Sequence, residues 1–212
     1  MTRVDRVPRH RVVAQLDRLA DELADTFHGV FTPAAVTRFV YETYSLLDTQ
    51  AVIKTHLISL TAHFAKQRLI DHGRVHGLVR VTVPQVLFVC VHNVGRSQMA
   101  AALLTHHALG RVNVRSAGSQ PEGEVPTDIA AALSERGIAL TEAYPKPLTD
   151  EVVRAADVVV SMGCGDACPV YPGKRYLDWP VADPIGTPLE QVRVIRDDLE
   201  RRIRGLLAEL LD

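Results

Sequence analysis

Over the first third of the chain apolar residues recur every three or four positions, whereas from residue 86 onward they gather into short runs separated by amphipathic stretches. The first pattern is that of helices with one buried stripe. The second is that of strands covered on both faces, alternating with helices. Val12, Leu16, Leu19, Leu23 and Phe27 form one stripe that stops near Gly29, and Thr32-Pro33 starts a second helix through Val36, Phe39, Val40 and Leu47. A third stripe, Ile53, Leu57, Leu60 and Phe64, ends near Gly73. Such stripes must be buried against one another or a partner, which predicts a small three-helix bundle over residues 1–82.

Residues 83–212 predict an α/β domain with a four-stranded, doubly wound parallel sheet. Strands are expected at 86–90, 112–117, 157–161 and 174–177, and helices at 97–109, 126–136, from Thr149, and at 188–210. Thr187-Pro188-Leu189-Glu190 reads as a capping box for the last helix, whose buried face is Leu189, Val192, Ile195, Leu199, Ile203, Leu206 and Leu210. Ligands on such sheets bind beyond the carboxyl ends of the strands.

Charge supports the division at residue 82: residues 1–82 carry 11 Lys or Arg against 8 Asp or Glu, and residues 83–212 carry 13 against 17. The net charge of −1 argues against a nucleic-acid-binding surface, and no apolar run approaches the length that spans a bilayer. The start of the chain lacks the apolar core of a secretory signal, so a cytoplasmic protein is expected. All three cysteines lie after residue 89, and an odd number makes no secreted disulfide framework. Six of the nine histidines fall within residues 1–82 with no zinc-like pairing, so no metal is expected. No glycine-rich loop ends in Gly-Lys-Ser/Thr, which removes nucleoside triphosphates.

The chemistry concentrates in Cys90-Val91-His92-Asn93-Val94-Gly95-Arg96-Ser97. A cysteine closes a buried strand, and an arginine and a hydroxyl open a helix six and seven residues later. Such a loop turns successive backbone N–H groups inward, and the helix adds its unsatisfied N-terminal donors. A tetrahedral oxyanion fits there, cradled by Val91, His92, Asn93, Val94, Gly95, Arg96 and Ser97. Cysteine beside a helix N-terminus and an arginine loses its proton more readily, which makes Cys90 a candidate nucleophile. Arg96 offers a planar fork to two oxygens, and Ser97 can donate to the sulfur. Asn93 tolerates a left-handed backbone and can tie the loop to its surroundings, while Gly95 permits close approach.

Two more segments emerge at the same sheet edge. Cys164 and Cys168, after the third strand, fit a redox pair, an incomplete zinc site or two small buried residues. Asp183-Pro184, after the fourth strand, is either a plain turn or a carboxylic acid placed to protonate a departing oxygen.

Taken together, the Cys90–Ser97 loop, Ser116-Ala117-Gly118, the Cys164 and Cys168 pair, and Asp183-Pro184 occur in the order of the low-molecular-weight tyrosine phosphatase fold. Within that fold, residues 83–212 resemble the thioredoxin-linked arsenate reductases, some of which carry a helical N-terminal extension. The resemblance implies that Cys90 attacks arsenate held by Arg96 and the loop N–H groups while Asp183 protonates the leaving oxygen. Cys164 then attacks the Cys90 sulfur and expels arsenite, and Cys168 takes over Cys164 to leave a disulfide that thioredoxin reduces. No bound cofactor is implied; thioredoxin is the external reductant. Where relatives bind potassium, Lys146 is either a fixed positive charge in its place or a plain surface lysine, and the helical bundle either offers a surface for a homodimer, docks a transporter or reductase, or stabilises the sheet. Two alternatives stand beside it: a low-molecular-weight phosphatase sharing the first chemical step, and a non-catalytic arsenite or redox sensor. The expected walls near the site, Val91, His92, Val94 and Ile185, furnish an aryl-binding cleft poorly.

Overall fold

The computed structural model describes residues 9–49, 56–140, 143–163 and 168–211. The chain divides into two compact units, Met1–Val79 and Arg80–Asp212.

In the first unit three helices, α1 (Arg9–Thr26), α2 (Pro33–Asp48) and α3 (Leu57–Val75), bury their stripes together. Thr32 caps α2 by accepting the Ala35 N–H at 3.3 Å, with Pro33 in the first helical position where its missing N–H costs nothing. Leu16, Leu19, Leu23 and Phe27 meet Val36, Phe39, Val40, Ala65 and Leu69 in one core. Ile53, expected to begin the third stripe, lies outside the described residues. Leu60 is only half-buried; the buried position is Thr61, whose hydroxyl donates to the Leu57 carbonyl at 2.7 Å and is thereby made tolerable in a core. The helix ends at Val75, two residues past Gly73, as expected. A Cβ on Gly73 would stand 2.5 Å from Val79 Cγ2 and 3.2 Å from Phe31 Cζ, so this glycine admits close packing, and the chain turns at Gly77, where φ is 68°.

The second unit has the expected α/β architecture: β1 (Gln85–Cys90), β2 (Asn113–Gly118), β3 (Val158–Ser161) and β4 (Arg175–Asp178) form an all-parallel sheet in the order β2-β1-β3-β4. Around it lie α4 (Arg96–Ala108), α5 (Thr127–Ser134), α6 (Asp150–Ala155) and α7 (Leu189–Leu211). Every residue of β1 is buried because alternate side chains enter two cores. Val86, Phe88 and Cys90 join the cluster of α4, α5 and α7, whereas Leu87 and Val89 join Val152, Val153 and Val159 on the α6 side. The strand order departs from β1 in opposite directions, so β1 ends at the switch point where α/β sheets open a crevice.

The start of α7 differs from the expected capping box. The Thr187 backbone N–H, which Glu190 would have to accept, donates to the Pro184 carbonyl at 3.3 Å, the Thr187 hydroxyl donates to the same carbonyl at 2.9 Å, and Glu190 pairs with Arg193 at 3.3 Å. Among the described residues, no helix is long and apolar enough to cross a membrane, and no group of three His, Cys, Asp or Glu is placed to hold a metal.

Helix α7 also carries an ionic seam that hydropathy does not announce. Glu135, just after α5, accepts from Arg193 at 2.6 Å and from Arg196 at 2.9 Å. These bonds, Arg193 first and Arg196 second, lower its carboxyl from the usual 4.5 to about 2. A carboxyl lowered in the folded state stabilises it fully above the unfolded value, and that contribution is lost as pH falls toward the folded one. Glu135→Gln should therefore lower the melting temperature at about pH 7 and by only a fraction as much at about pH 2.5, close to the folded value, as read by circular dichroism melts. An equal offset at both pH values would contradict the ionic account.

Candidate active site

Cys90 ends β1 almost fully buried, 2% exposed, and the chain then wraps around its sulfur. The carbonyls of Cys90, Val91 and His92 are drawn outward by the N–H groups of Ser119, Gln120 and Glu122 at 3.1, 2.9 and 3.3 Å. A trans peptide points its N–H opposite its carbonyl, so the N–H groups of Val91, His92 and Asn93 are turned toward the loop centre. The Asn93 N–H accordingly lies 3.3 Å from Cys90 Sγ.

Asn93 takes the left-handed conformation, with φ 55°. Its Oδ1 accepts the Lys146 backbone N–H at 2.9 Å, which leaves Nδ2 to donate to Ser97 Oγ at 2.7 Å. A hydroxyl oxygen occupied as an acceptor there has its own proton available for Sγ, 2.9 Å away. Two directed donors therefore face the sulfur. Gly118 makes the arrangement possible from below: a Cβ would fall 2.6 Å from Val91 O and 3.1 Å from Asn93 N. The backbone of Gly118 instead pairs with the neighbouring segment, donating to Lys146 O at 2.8 Å and accepting from Leu148 N at 2.9 Å.

Arg96 begins α4, and its guanidinium donates to Asp183 Oδ2 at 2.9 Å. That bond joins the expected anion-binding group to the expected acid. The Asp-Pro turn is seated on the loop, since a Cβ on Gly95 would lie 3.1 Å from Pro184 Cγ, and Asp183 Oδ1 is fixed by the Ile185 N–H at 3.1 Å. Gly163, two residues beyond β3, has φ 76° and would place a Cβ 2.6 Å from an Arg96 terminal nitrogen. Segments following β1, β3 and β4 thus meet at one guanidinium. At the rim, His92 Nε2 lies 3.5 Å from Glu122 Oε1.

Cys164 lies outside the described residues. Cys168 is half-buried against the α6-side cluster with Leu148, Tyr171 and Tyr176, whereas Cys90 belongs to the cluster on the other face. The structure therefore brings Cys90, Asn93, Arg96, Ser97 and Asp183 together, whereas Cys168 packs against the other core. Lys146 is buried, with Nζ 3.2 Å from the Tyr144 carbonyl and 4.4 Å from that ring's centroid. Sequence reasoning overlooked Gly163 and Gln98. Gln98 read as one more helical residue, and the only available signal for Gly163 was a glycine directly beside Cys164.

A strand-loop-helix that aims N–H groups, an arginine and a hydroxyl around a cysteine matches the family model described as low molecular weight phosphotyrosine protein phosphatase, over residues 85–212. The chain belongs to this family. A second model, described as the protein-tyrosine-phosphatase-like N-terminal domain, matches residues 16–71. Among solved structures, this low molecular weight phosphatase family member is similar to a thioredoxin-dependent arsenate reductase of Corynebacterium glutamicum. The two are 48% identical with a TM-score of 0.82, covering 92% of this chain and 95% of that one. A putative arsenate reductase of Halobacterium salinarum is 34% identical over 58% of this chain and 89% of its own length. A protein-arginine-phosphatase of Bacillus subtilis is 33% identical over 59% of this chain and 95% of its own.

Gly163→Ala should push Arg96 off its seat, because both the positive φ and the contact oppose a side chain. Affinity for inorganic phosphate, measured by titration calorimetry, is expected to fall about tenfold or more while the melting temperature stays within a few degrees. Unchanged phosphate affinity would show that Arg96 does not need this glycine.

Proposed function

We propose that this protein is an arsenate reductase in which Cys90 is the nucleophile, Cys164 and Cys168 carry the oxidation away, and thioredoxin restores the thiols. The observation that carries this reading is the contact of Gly163 with Arg96: the segment leading into Cys164 begins at the guanidinium that would grip the oxyanion. The similarity along nearly the whole chain to a thioredoxin-dependent arsenate reductase supports the same substrate and reductant here.

The chemistry runs in three balanced steps. The Cys90 thiolate forms a sulfur–arsenic bond as an arsenate oxygen leaves as water, protonated from Asp183, while Arg96 and the inward N–H groups hold the remaining oxygens. Cys164, as thiolate, then attacks the Cys90 sulfur; the sulfur–arsenic bond breaks, its electron pair stays on arsenic, and arsenite departs. Cys168 attacks Cys164, releasing the Cys90 thiolate and leaving a Cys164–Cys168 disulfide for thioredoxin to reduce. In this sequence Cys168 never touches Cys90, so its packing on the other face of the sheet is compatible with its role. A reducing cytoplasm would keep all three thiols ready.

A phosphatase reading is favoured by one finding, the protein-arginine-phosphatase relatives, whose first step needs the same loop. The two separate in one assay. With thioredoxin, thioredoxin reductase and NADPH, NADPH should be consumed only when arsenate is added. Cys90→Ser should abolish consumption, and Cys168→Ser should allow at most a single turnover. Sustained turnover by Cys168→Ser would refute the relay, and phosphoarginine or aryl phosphate hydrolysis without arsenate-driven NADPH use would establish the phosphatase.

A further inference from the structure

Gln98, the third residue of α4, is 4% exposed and directs its side chain back under the loop. Its Nε2 lies 2.7 Å from the Tyr144 carbonyl, 3.1 Å from the Asn93 carbonyl and 3.1 Å from Asn93 Oδ1. All three partners are acceptors. The amide must present its nitrogen to them, because the reversed orientation would set Oε1 against three oxygens. Two amide hydrogens shared among three acceptors tie the end of the loop to the Tyr144–Lys146 segment.

Gln98 and the Lys146 backbone N–H are the two donors on Asn93 Oδ1. With Oδ1 taken on that side, Nδ2 is left for Ser97 Oγ, and Ser97 is left to donate to Cys90 Sγ. The polarity of the relay is therefore set at the end farthest from the sulfur. We infer that Gln98 is a positioning residue for the Cys90 nucleophile, fixing the direction of the hydrogen-bond chain Gln98 to Asn93 to Ser97 to sulfur. The inference rests on Cys90 being the nucleophile and not on which oxyanion the site turns over.

Gln98→Met keeps the volume and the helix preference and removes the donors; Gln98→Glu keeps the shape and, when ionised, opposes a carboxylate to three acceptors. The readout is alkylation of Cys90 by iodoacetamide, without substrate, followed by mass spectrometry of the Cys90 peptide at about pH 6 and pH 9. The ratio of the rate at the lower pH to that at the higher one should fall about five- to tenfold in Gln98→Met, the loss of roughly one neutral hydrogen bond, and further in Gln98→Glu. In a Ser97→Ala background Gln98→Met should have no additional effect on the ratio, because the relay is already cut.

Parent-like ratios in variants that melt cooperatively overturn the inference, as do effects that simply add to those of Ser97→Ala, which is what general loosening would produce. If Gln98→Met does not fold, the same ratio measured on Gln98→Glu decides the matter. A parent protein whose Cys90 is no more reactive at the lower pH than an ordinary thiol would instead sink the nucleophile reading itself, which separates the two failures.

Discussion

Asn93 holds a left-handed backbone conformation that costs a non-glycine residue about 1 kcal/mol or more, and the site depends on that conformation being kept. Only with φ at 55° do its N–H reach the cysteine sulfur and its side-chain amide span from the Lys146 backbone to Ser97. The conformation is over-determined. Oδ1 accepts from Gln98 and from the Lys146 N–H, the same Gln98 nitrogen reaches the Asn93 carbonyl, and Gly118 clears the space beneath. Buried polar groups that are fully partnered define a single arrangement, because any alternative leaves one of them unsatisfied away from water.

The sheet makes this local device useful. Because β1 to β4 are all parallel, every segment leaving a strand's carboxyl end is delivered to the same edge. The segment after β2 draws the loop carbonyls outward, the segment after β3 brings Gly163 to Arg96, and the turn after β4 brings Asp183 to the same guanidinium. In the proposed relay the oxyanion and the dithiol stand on different segments, so one loop can hold the substrate still while another carries oxidation away. The placement of Cys168 against the α6-side core fits that separation.

Much of the fold was legible. The stripes of the first 82 residues and the alternating strands and helices after them follow from hydrophobic period alone, which reports what must be buried. Where the period misled, a specific contact was responsible. Leu60 yields its buried place to Thr61, and the Thr187 backbone N–H goes to the Pro184 carbonyl before Glu190 can accept it. Polar groups such as Arg68, which donates to Thr43 at 3.0 Å and lies 5.1 Å from the Phe39 ring centroid, enter cores for reasons that no hydropathy pattern contains.

Of the site, the sequence by itself determined the cysteine, the arginine, the hydroxyl and their loop, because residues within eight positions of one another on a strand-to-helix turn have little freedom to be anywhere else. Tertiary structure alone decided which distant groups complete it. The Lys146 backbone reaches Asn93, Gly163 and Asp183 meet at Arg96, and Cys168 packs on the far side of the sheet. Those encounters depend on which strand lies beside which and on how closely two backbones approach, and spacing along a chain carries neither.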